Sequence, residues 1–146
     1  MSGWLLDTNI VSELRKPRPE RKVVSFVAAQ SLDSLYLSEV TLAEIRFGIE
    51  QVSDPARRGA LHDWLTQKLR PMFEHRVLSV TEDVILKWRV LVEEGRKAGH
   101  TFSQPDLFIA ATALLHGLTV VTRDTADYRL AQVPVFNPWT DPTPRP

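Results

Sequence analysis

Residues 105–124 have the sequence PDLFIAATALLHGLTVVTRD, which joins an apolar helix to a short apolar strand. Apolar side chains occupy nearly every position of Leu107–Leu115, and a helix that is apolar all round is normally buried. Gly117 is suited to end this helix, and Thr119–Thr122 is the predicted strand. The stretch therefore predicts one helix–strand unit of an α/β domain, with an acidic residue near each end.

The rest of the chain repeats this alternation of apolar strands and amphipathic helices. Further strands are predicted at Trp4–Leu6, Leu35–Leu37, Arg76–Val80 and Val133–Phe136. Further helices are predicted at Ile10–Leu14, Lys22–Gln30 and Thr41–Gln51, from Pro55 onward, and through Val84 to Gly99. The alternation indicates an α/β fold with a mainly parallel central sheet flanked by helices on both faces. We expect a single domain over residues 1–146, with residues 138–146 as a proline-rich tail that is extended or frayed.

The composition is that of an ordinary globular protein. The 146 residues suit one domain, and 43% of them are hydrophobic and 25% charged. Eighteen basic and eighteen acidic residues cancel, which argues against a strongly basic surface for non-specific nucleic-acid binding. The absence of cysteine excludes disulfides and thiolate metal sites. No signal peptide or membrane-spanning apolar run is recognised, so we expect a cytoplasmic protein without membrane contacts.

Four acidic residues occupy comparable places in this predicted fold. Asp7 follows the first strand, and Glu44 lies in the first turn of the helix that follows the second strand. Asp106 begins the apolar helix, and Asp124 follows the strand after it. In open parallel sheets, ligand sites form at the carboxyl ends of the strands, where the next helices begin. We therefore expect all four carboxylates to lie at one edge of the sheet.

Each of these acids, taken alone, could instead cap a helix or a turn. Thr41 and Glu44 fit the capping-box pattern, in which the glutamate side chain reaches back to the threonine amide. Ser103 and Asp106 have the same spacing, and the two acids that follow strands also suit caps. Asp106 is the hardest to explain in this way, because an ionised carboxylate at the head of a buried helix is rarely buried without a partner.

Carboxylates gathered at one edge need a compensating positive charge. Two like charges about 4 Å apart repel by ~4 kcal/mol at an effective dielectric of 20, which is more than a helix N-terminus supplies. A divalent cation resolves the conflict, and all-oxygen ligands favour Mg²⁺ or Mn²⁺ over Zn²⁺. Such a site suits phosphate substrates. The sequence has no glycine-rich phosphate loop and no nucleophile elbow, and its four histidines are scattered without ligand spacing.

Four motifs, in their order along the chain, closely resemble those of the PIN-domain ribonucleases. They are LDTN at 6–9, TLAEIRFG at 41–48, DLFIAATA at 106–113, and VTRDTADY at 121–128 followed by VFNP at 135–138. Within that family the chain is similar to VapC-type (FitB-like) toxins of VapBC toxin–antitoxin modules. Each motif alone is a weak signal, whereas four in the correct order are specific, and the resemblance extends from Leu5 to Trp139.

The resemblance implies a Mg²⁺-dependent endoribonuclease, in which Mn²⁺ substitutes for Mg²⁺, that cuts RNA and arrests translation. It also implies a small antitoxin partner that blocks the acidic site and binds DNA, so that DNA is contacted only through the antitoxin. Homodimers and larger toxin–antitoxin hetero-oligomers are expected as well. The aromatic side chains considered for an antitoxin groove are those of Trp4, Phe47, Trp88 and Trp139, although Trp88 lies on the apolar face of its helix.

The family motifs also imply roles for individual acidic residues. Asp7 and Asp106 are expected to bind the metal directly, and Glu44 directly or through water. The fourth acid is ambiguous, since both Asp124 and Asp127 match family positions. We favour Asp124 because it lies closer to the end of the strand, with Asp127 as a turn or helix cap.

Other polar residues next to the motifs are expected to support the site or the substrate. Thr8 and Asn9 match family positions that orient the first aspartate. Arg46 and Arg123 lie near the predicted edge and are candidates for binding RNA phosphates. Two other functions are compatible with the sequence: a metal nuclease that acts on DNA or flap structures, and an inactive module that only binds a partner.

Overall fold

A parallel sheet forms the centre of the fold. The computed structural model describes residues 3–101, 104–142 and 144. The strands are β1 (Trp4–Leu6), β2 (Leu35–Ser38), β3 (Val77–Leu78), β4 (Thr119–Val121) and β5 (Val135–Phe136). Neighbouring strands all pair in parallel, in the order β3-β2-β1-β4-β5. The prediction of a mainly parallel sheet is confirmed.

Helices connect successive strands, as parallel pairing requires. The long helices are α1 (Thr8–Arg15), α2 (Arg21–Ala29), α3 (Glu39–Glu50), α4 (Pro55–Trp64), α6 (Glu82–Lys97) and α7 (Gln104–His116). A π-helical turn (Leu65–Leu69) joins α4 to the short helix α5 (Arg70–Met72), and the six-residue helix α8 (Thr125–Leu130) links β4 to β5. No helix in the described part of the chain is long and apolar enough to cross a membrane.

Both faces of the sheet are covered. Successive side chains of a strand point to opposite faces, and β1 shows this directly because Leu6 and Leu5 belong to different cores. We call the core around Leu6 the first core; it is formed with apolar residues of α1 to α4, of the π-helical turn and with Phe73. The second core, around Leu5, is formed with apolar residues of α6, α7 and α8. The predicted α/β architecture with helices on both faces is confirmed.

The strand order decides which loops are neighbours. β1 lies between β2 and β4, and Leu6 is in register with Val121. The Asp7 amide then donates to the Val121 carbonyl at 3.0 Å, so the residues that follow β1 and β4 lie side by side. The helix α3 begins directly after β2 on the other side of β1. The carboxyl ends of three strands therefore form one continuous edge.

The start of α3 differs from the sequence prediction. The helix begins at Glu39, and the Ser38 side chain caps it by accepting a hydrogen bond from the Val40 amide. Thr41 is therefore not the cap, and its buried hydroxyl has no hydrogen-bond partner within the described residues. The capping-box interpretation of Glu44 was wrong, because the helix starts two residues earlier than predicted and Glu44 falls in its second turn. The equivalent interpretation of Asp106 involves Ser103, which lies outside the described residues.

The first part of the C-terminal segment is ordered, contrary to the prediction of an extended or frayed tail. Pro138 is buried, and residues 138–140 form a turn. Asn137 organises this turn, because its side-chain oxygen accepts from the Trp139 amide at 2.9 Å. Its own amide donates to Asp141 Oδ2 at 2.8 Å. Proline content alone suggested a frayed segment, whereas the asparagine-centred hydrogen bonds close it into a turn.

Gly3 allows β1 to approach its neighbours closely, and we expect Gly3→Ala to destabilise the fold. A Cβ at this position would lie 2.8 Å from the Ser34 carbonyl oxygen and 3.2 Å from a Leu118 methyl group. Overpacking of this kind costs about 1–3 kcal/mol, which urea denaturation would measure. Gly59→Ala is the matched control, since a Cβ there meets nothing within 4 Å, and a gain of about 0.5–1 kcal/mol is expected on helix α4. Equal stability of Gly3→Ala and wild type would contradict the close approach.

Candidate active site

Asp7 is the centre of the polar network at this edge of the sheet. It is only 4% exposed and stands between β1 and α1. Its Oδ1 accepts from the Thr8 amide at 2.8 Å, so Asp7 does cap helix α1. Its Oδ2 accepts from the Thr122 hydroxyl at 2.8 Å and from the Tyr128 hydroxyl at 3.2 Å. A carboxylate offers about four lone-pair positions, so one position remains for another ligand.

The environment of Asp7 disfavours its negative charge. Burial raises the pKa of the Asp7 carboxyl group to about 6, and the negative charge of Asp106 adds to this rise. The hydrogen bonds from Thr122, Thr8 and Tyr128 act in the opposite direction, but they do not compensate for the burial. A buried carboxylate next to a second one creates a local demand for positive charge.

Asp106 lies on the other side of the Tyr128 hydroxyl group. The distance from that hydroxyl to Asp106 Oδ1 is 3.5 Å, close to the limit of a hydrogen bond. Asp106 stands in the first turn of α7 and is partly exposed, at the head of the buried helix. The structure therefore brings Asp7 and Asp106 together, with one phenol between their carboxylates.

Glu44 joins the site through α1. Its Oε1 accepts a hydrogen bond from the Thr8 hydroxyl at 2.8 Å, and its side chain is partly buried. Because Thr8 directly follows Asp7, this bond ties the second turn of α3 to the head of α1. Thr8 contacts Asp7 through its backbone amide, whereas its side-chain hydroxyl donates to Glu44.

Asp124 is connected to the same edge by Asn9 and Thr122. Asn9 Nδ2 donates to Asp124 Oδ2 at 3.4 Å and to the Thr122 hydroxyl at 3.1 Å. The Asp124 amide also donates to the Thr122 hydroxyl, at 3.0 Å. Asp124 is exposed and precedes α8, but its side chain makes no capping bond to that helix. Asp124 is therefore a solvent-exposed carboxylate at the border of the site, which we call the rim.

Asp127 has a different neighbour. Its Oδ1 lies 3.3 Å from His100 Nε2, in the segment between α6 and α7. Both side chains are partly exposed. The structure thus pairs Asp127 with a histidine, whereas Asp124 belongs to the network around Thr122.

The donor set fits a hydrated Mg²⁺ or Mn²⁺ ion. Within the described ranges, no three aspartate, glutamate or histidine side chains converge closely enough to enclose an ion by themselves. Mg²⁺ is commonly bound by one or two carboxylates while it keeps several waters. Asp7 and Asp106 supply this pair, and the unfavourable burial of the Asp7 charge would be relieved by a cation.

Arginine side chains lie around the acidic edge. Arg123 follows Thr122, is exposed, and places its guanidinium 4.9 Å from the centre of the Trp139 ring. Its amide donates to Asn9 Oδ1 at 3.2 Å, which fixes its backbone next to the site. Arg46 is exposed on α3, two residues after Glu44. Both predicted RNA-binding residues are therefore exposed, Arg123 directly after Thr122 and Arg46 on the helix that carries Glu44.

A groove opens beside Glu44, between α1, α3 and α4. It has a volume of about 170 Å³. Its lining combines apolar and basic residues, including Ile45, Ile49, Trp64, Arg15 and Arg57. The predicted groove aromatics lie elsewhere: Trp4 and Trp139 pack against the first core, and Trp88 stacks on Phe108 against the second. Phe47 is 68% exposed on α3.

Sequence reasoning missed the roles of Thr122 and Tyr128. Thr122 is fully buried, and its hydroxyl donates to Asp7 while accepting from Asn9 and Asp124. Its position directly after a strand, beside two acids, was an available signal. Tyr128 had no such signal, because α8 is too short to show a helical period and was not predicted.

The comparisons with known proteins agree with this geometry. A model of the PIN domain matches residues 4–133. The chain is 39% identical to Toxin FitB of Neisseria gonorrhoeae, over 94% of this chain and 99% of that protein. It is 37% identical to VapC ribonuclease Y4jK of Sinorhizobium fredii, over 92% of this chain and 96% of that protein.

Solved structures show the same fold. The crystal structure of FitAcB from Neisseria gonorrhoeae has a TM-score of 0.89 at 38% identity, covering 93% of this chain and 98% of that chain. The structure of FitAB bound to an IR36 DNA fragment has a TM-score of 0.90 at 36% identity, covering 95% and 97%. The similarity therefore includes nearly the whole chain in each case.

Removing the charge of Asp7 should change how stability depends on pH in the absence of metal. Its raised pKa means that the folded state keeps a proton up to about pH 6, whereas the unfolded state loses it near 4. The free energy of unfolding of the wild type should therefore fall as pH rises between these values. Asp7→Asn changes the free energy of unfolding relative to wild type. This change should be about 2 kcal/mol more favourable at pH 7.5 than at pH 4.

Urea denaturation in EDTA at both pH values would test this expectation. Asp63→Asn is the matched control, because Asp63 is exposed on α4 and is not among the hydrogen-bond partners of Asp7. A pH-independent effect of Asp7→Asn would show that the Asp7 charge carries no penalty in the folded protein.

Proposed function

Because the chain belongs to the PIN-domain family, we propose that it is a Mg²⁺-dependent endoribonuclease, the toxin of a type II toxin–antitoxin system. The observation that carries the proposal is the juxtaposition of Asp7 and Asp106 at the carboxyl edge of the sheet, where Asp7 is buried at a cost. Similarity to proteins named Toxin FitB and VapC ribonuclease supports RNA as the substrate. RNA as the substrate implies action in the cytoplasm.

In this proposal Asp7 and Asp106 bind the ion directly, and Glu44 binds it directly or through water. A bound Mg²⁺, or Mn²⁺ in its place, supplies an activated water and charge neutralisation for in-line displacement at a phosphodiester. Asp124 acts as the fourth acid at the open rim. Its link to Asn9 supports this choice over Asp127, whose carboxylate lies against His100.

The chain's other residues hold these acids and the substrate. The Thr8 hydroxyl orients Glu44, and the Thr122 hydroxyl holds Asp7 while Asn9 connects it to the rim. Arg123 is exposed directly after Thr122 and Arg46 is exposed on α3, and their guanidinium groups can bind backbone phosphates without reading base sequence.

Cleavage of RNA should depend on the divalent ion and on the acids. We expect wild-type protein to cut RNA in Mg²⁺ or Mn²⁺ and to be inactive in EDTA. Asp106→Asn and Glu44→Gln should each lower the cleavage rate by about 100-fold or more, because removing a metal ligand or its partner typically costs at least that order. Asp63→Asn, a surface change of the same chemistry, should keep full activity.

The substrate and the class of protein are decided by the same assay. Sequencing the 5′ ends of the RNA products would identify the target. Cleavage of DNA with RNA left intact would replace the proposal with a DNA nuclease. Metal-independent cleavage, or none at all in Mg²⁺ and Mn²⁺, would overturn it, the latter leaving a partner-binding module.

The proposal includes a cognate antitoxin that occupies the groove beside Glu44. The groove combines apolar anchors with a position next to the acids, where a basic side chain of the antitoxin can pair with the carboxylates. DNA is then contacted only through the antitoxin. We also propose a homodimer, for which Ile85, Leu86 and Val90 form an exposed apolar face on α6, and a larger toxin–antitoxin assembly.

Filling the groove should separate antitoxin binding from catalysis. Expression of the wild type alone should arrest growth, and co-expression of the small adjacent gene should restore growth and give a co-purifying complex. Gly48 lines the groove, and a Cβ there meets nothing within 4 Å. Gly48→Tyr should therefore fold, cut RNA, and remain toxic despite the antitoxin.

Gly59→Tyr is the control, because Gly59 is equally open but does not line the groove. This variant should be rescued like the wild type. Harmless expression of the wild type without any co-purifying partner would contradict the toxin proposal, and full rescue of Gly48→Tyr would contradict the choice of groove.

A further inference from the structure

Tyr128 is placed between the two central carboxylates. Its hydroxyl oxygen lies 3.2 Å from Asp7 Oδ2 and 3.5 Å from Asp106 Oδ1. The phenol has one proton, so it can donate to one carboxylate at a time. The shorter distance assigns the proton to Asp7, with Asp106 as the alternate acceptor.

The hydroxyl of Tyr128 acts only as a donor to these acids. Tyr128 is 1% exposed, and a buried phenol normally requires a hydrogen-bond partner. A phenol has an ordinary pKa of about 10. The group is therefore neutral and protonated at physiological pH, and it adds no charge to the site.

Packing of the Tyr128 ring in the second core sets the position of this hydroxyl. The Tyr128 ring belongs to the second core, and its carbonyl accepts from the Val133 amide at 3.0 Å. The adjacent Asp127 contacts His100. The ring is thus held by contacts that do not involve the acids, so its hydroxyl is a fixed point against which the acids align.

Thr122 and Tyr128 contact the same oxygen of Asp7. The Thr122 hydroxyl lies 2.8 Å from Oδ2, and it in turn accepts from Asn9 and the Asp124 amide. Two donors on one oxygen fix the rotation of the carboxylate more strictly than one. Of these two donors, Tyr128 also reaches Asp106, so its hydroxyl connects the positions of the two acids.

We propose that Tyr128 is a positioning residue, whose hydroxyl aligns Asp7 and Asp106 so that together they bind one divalent cation. This inference rests on the metal site of the proposed function. It assigns to α8, the short helix after β4, a direct contribution to metal affinity. Tyr128 itself does not contact the substrate.

Tyr128→Phe removes the hydroxyl and keeps the ring in the second core. We expect it to weaken Mn²⁺ binding by about 10-fold or more, the usual effect of losing a group that orients a metal ligand. The affinity is measured by titrating Mn²⁺ into the full-length protein and following free Mn²⁺ by electron paramagnetic resonance. RNA cleavage should be restored by raising the Mn²⁺ concentration, with kcat close to that of the wild type.

Tyr36→Phe is the matched control. Tyr36 is the only other tyrosine of the chain, and it lies in β2 against the second core. The same atom is removed, but Mn²⁺ affinity should be unchanged. Unchanged Mn²⁺ affinity in Tyr128→Phe, or a loss of cleavage that no Mn²⁺ concentration restores, would overturn the proposal.

A second measurement covers the case in which Tyr128→Phe does not fold. Wild-type protein labelled with 3-fluorotyrosine should give two fluorine resonances, which Tyr36→Phe assigns. The Tyr128 resonance should shift on addition of Mg²⁺ while that of Tyr36 stays, and an unmoved Tyr128 resonance at saturating Mg²⁺ would overturn the inference. If the wild type binds neither Mn²⁺ nor Mg²⁺, the proposed function itself fails, and the role of Tyr128 fails with it.

Discussion

The burial of one carboxylate, that of Asp7, is the constraint on which the rest of the site depends. Asp7 lies at the end of the central strand, and its pKa is raised by burial and by the nearby charge of Asp106. A buried charge persists in a folded protein only when hydrogen bonds or an ion compensate for it. The donors around Asp7, which come from α1, from the residue after β4 and from α8, supply part of this compensation. In the proposed function, a divalent cation supplies the remainder.

The sheet topology makes this concentration of donors possible. Because β1 lies between β2 and β4, the segments after three strands meet at one edge. The residues of α1 and the β4 loop are then close enough to share hydrogen bonds, as Asn9 and Thr122 do. In a parallel sheet with another strand order, the same residues would still lie at the carboxyl edge, but intervening strands would separate them along it. The parallel arrangement also places helix starts at this edge, and the first amide of α1 donates to Asp7 there.

The two cores contribute to the site in different ways. The first core supports α1 and α3, which carry Asp7 and Glu44 and border the groove. The second core supports α7 and α8, which carry Asp106 and Tyr128. Each pair of functional residues is therefore held by a different hydrophobic cluster. The site lies where the two halves meet, so its geometry depends on packing on both faces of the sheet.

The sequence by itself determined the fold class and the edge at which the acids lie. Both follow from short stretches of sequence, because alternating apolar strands and helices imply parallel pairing, and the ends of the strands locate the loops. The start of α3 was misjudged because Thr41 resembled a cap, whereas Ser38 directly after β2 takes that role. Only the tertiary structure decided which side chains touch: that Glu44 meets Thr8, and that a phenol from α8 stands between two aspartates. These contacts join residues 22 to 121 positions apart, and such pairing is set by strand order and core packing rather than by any local pattern.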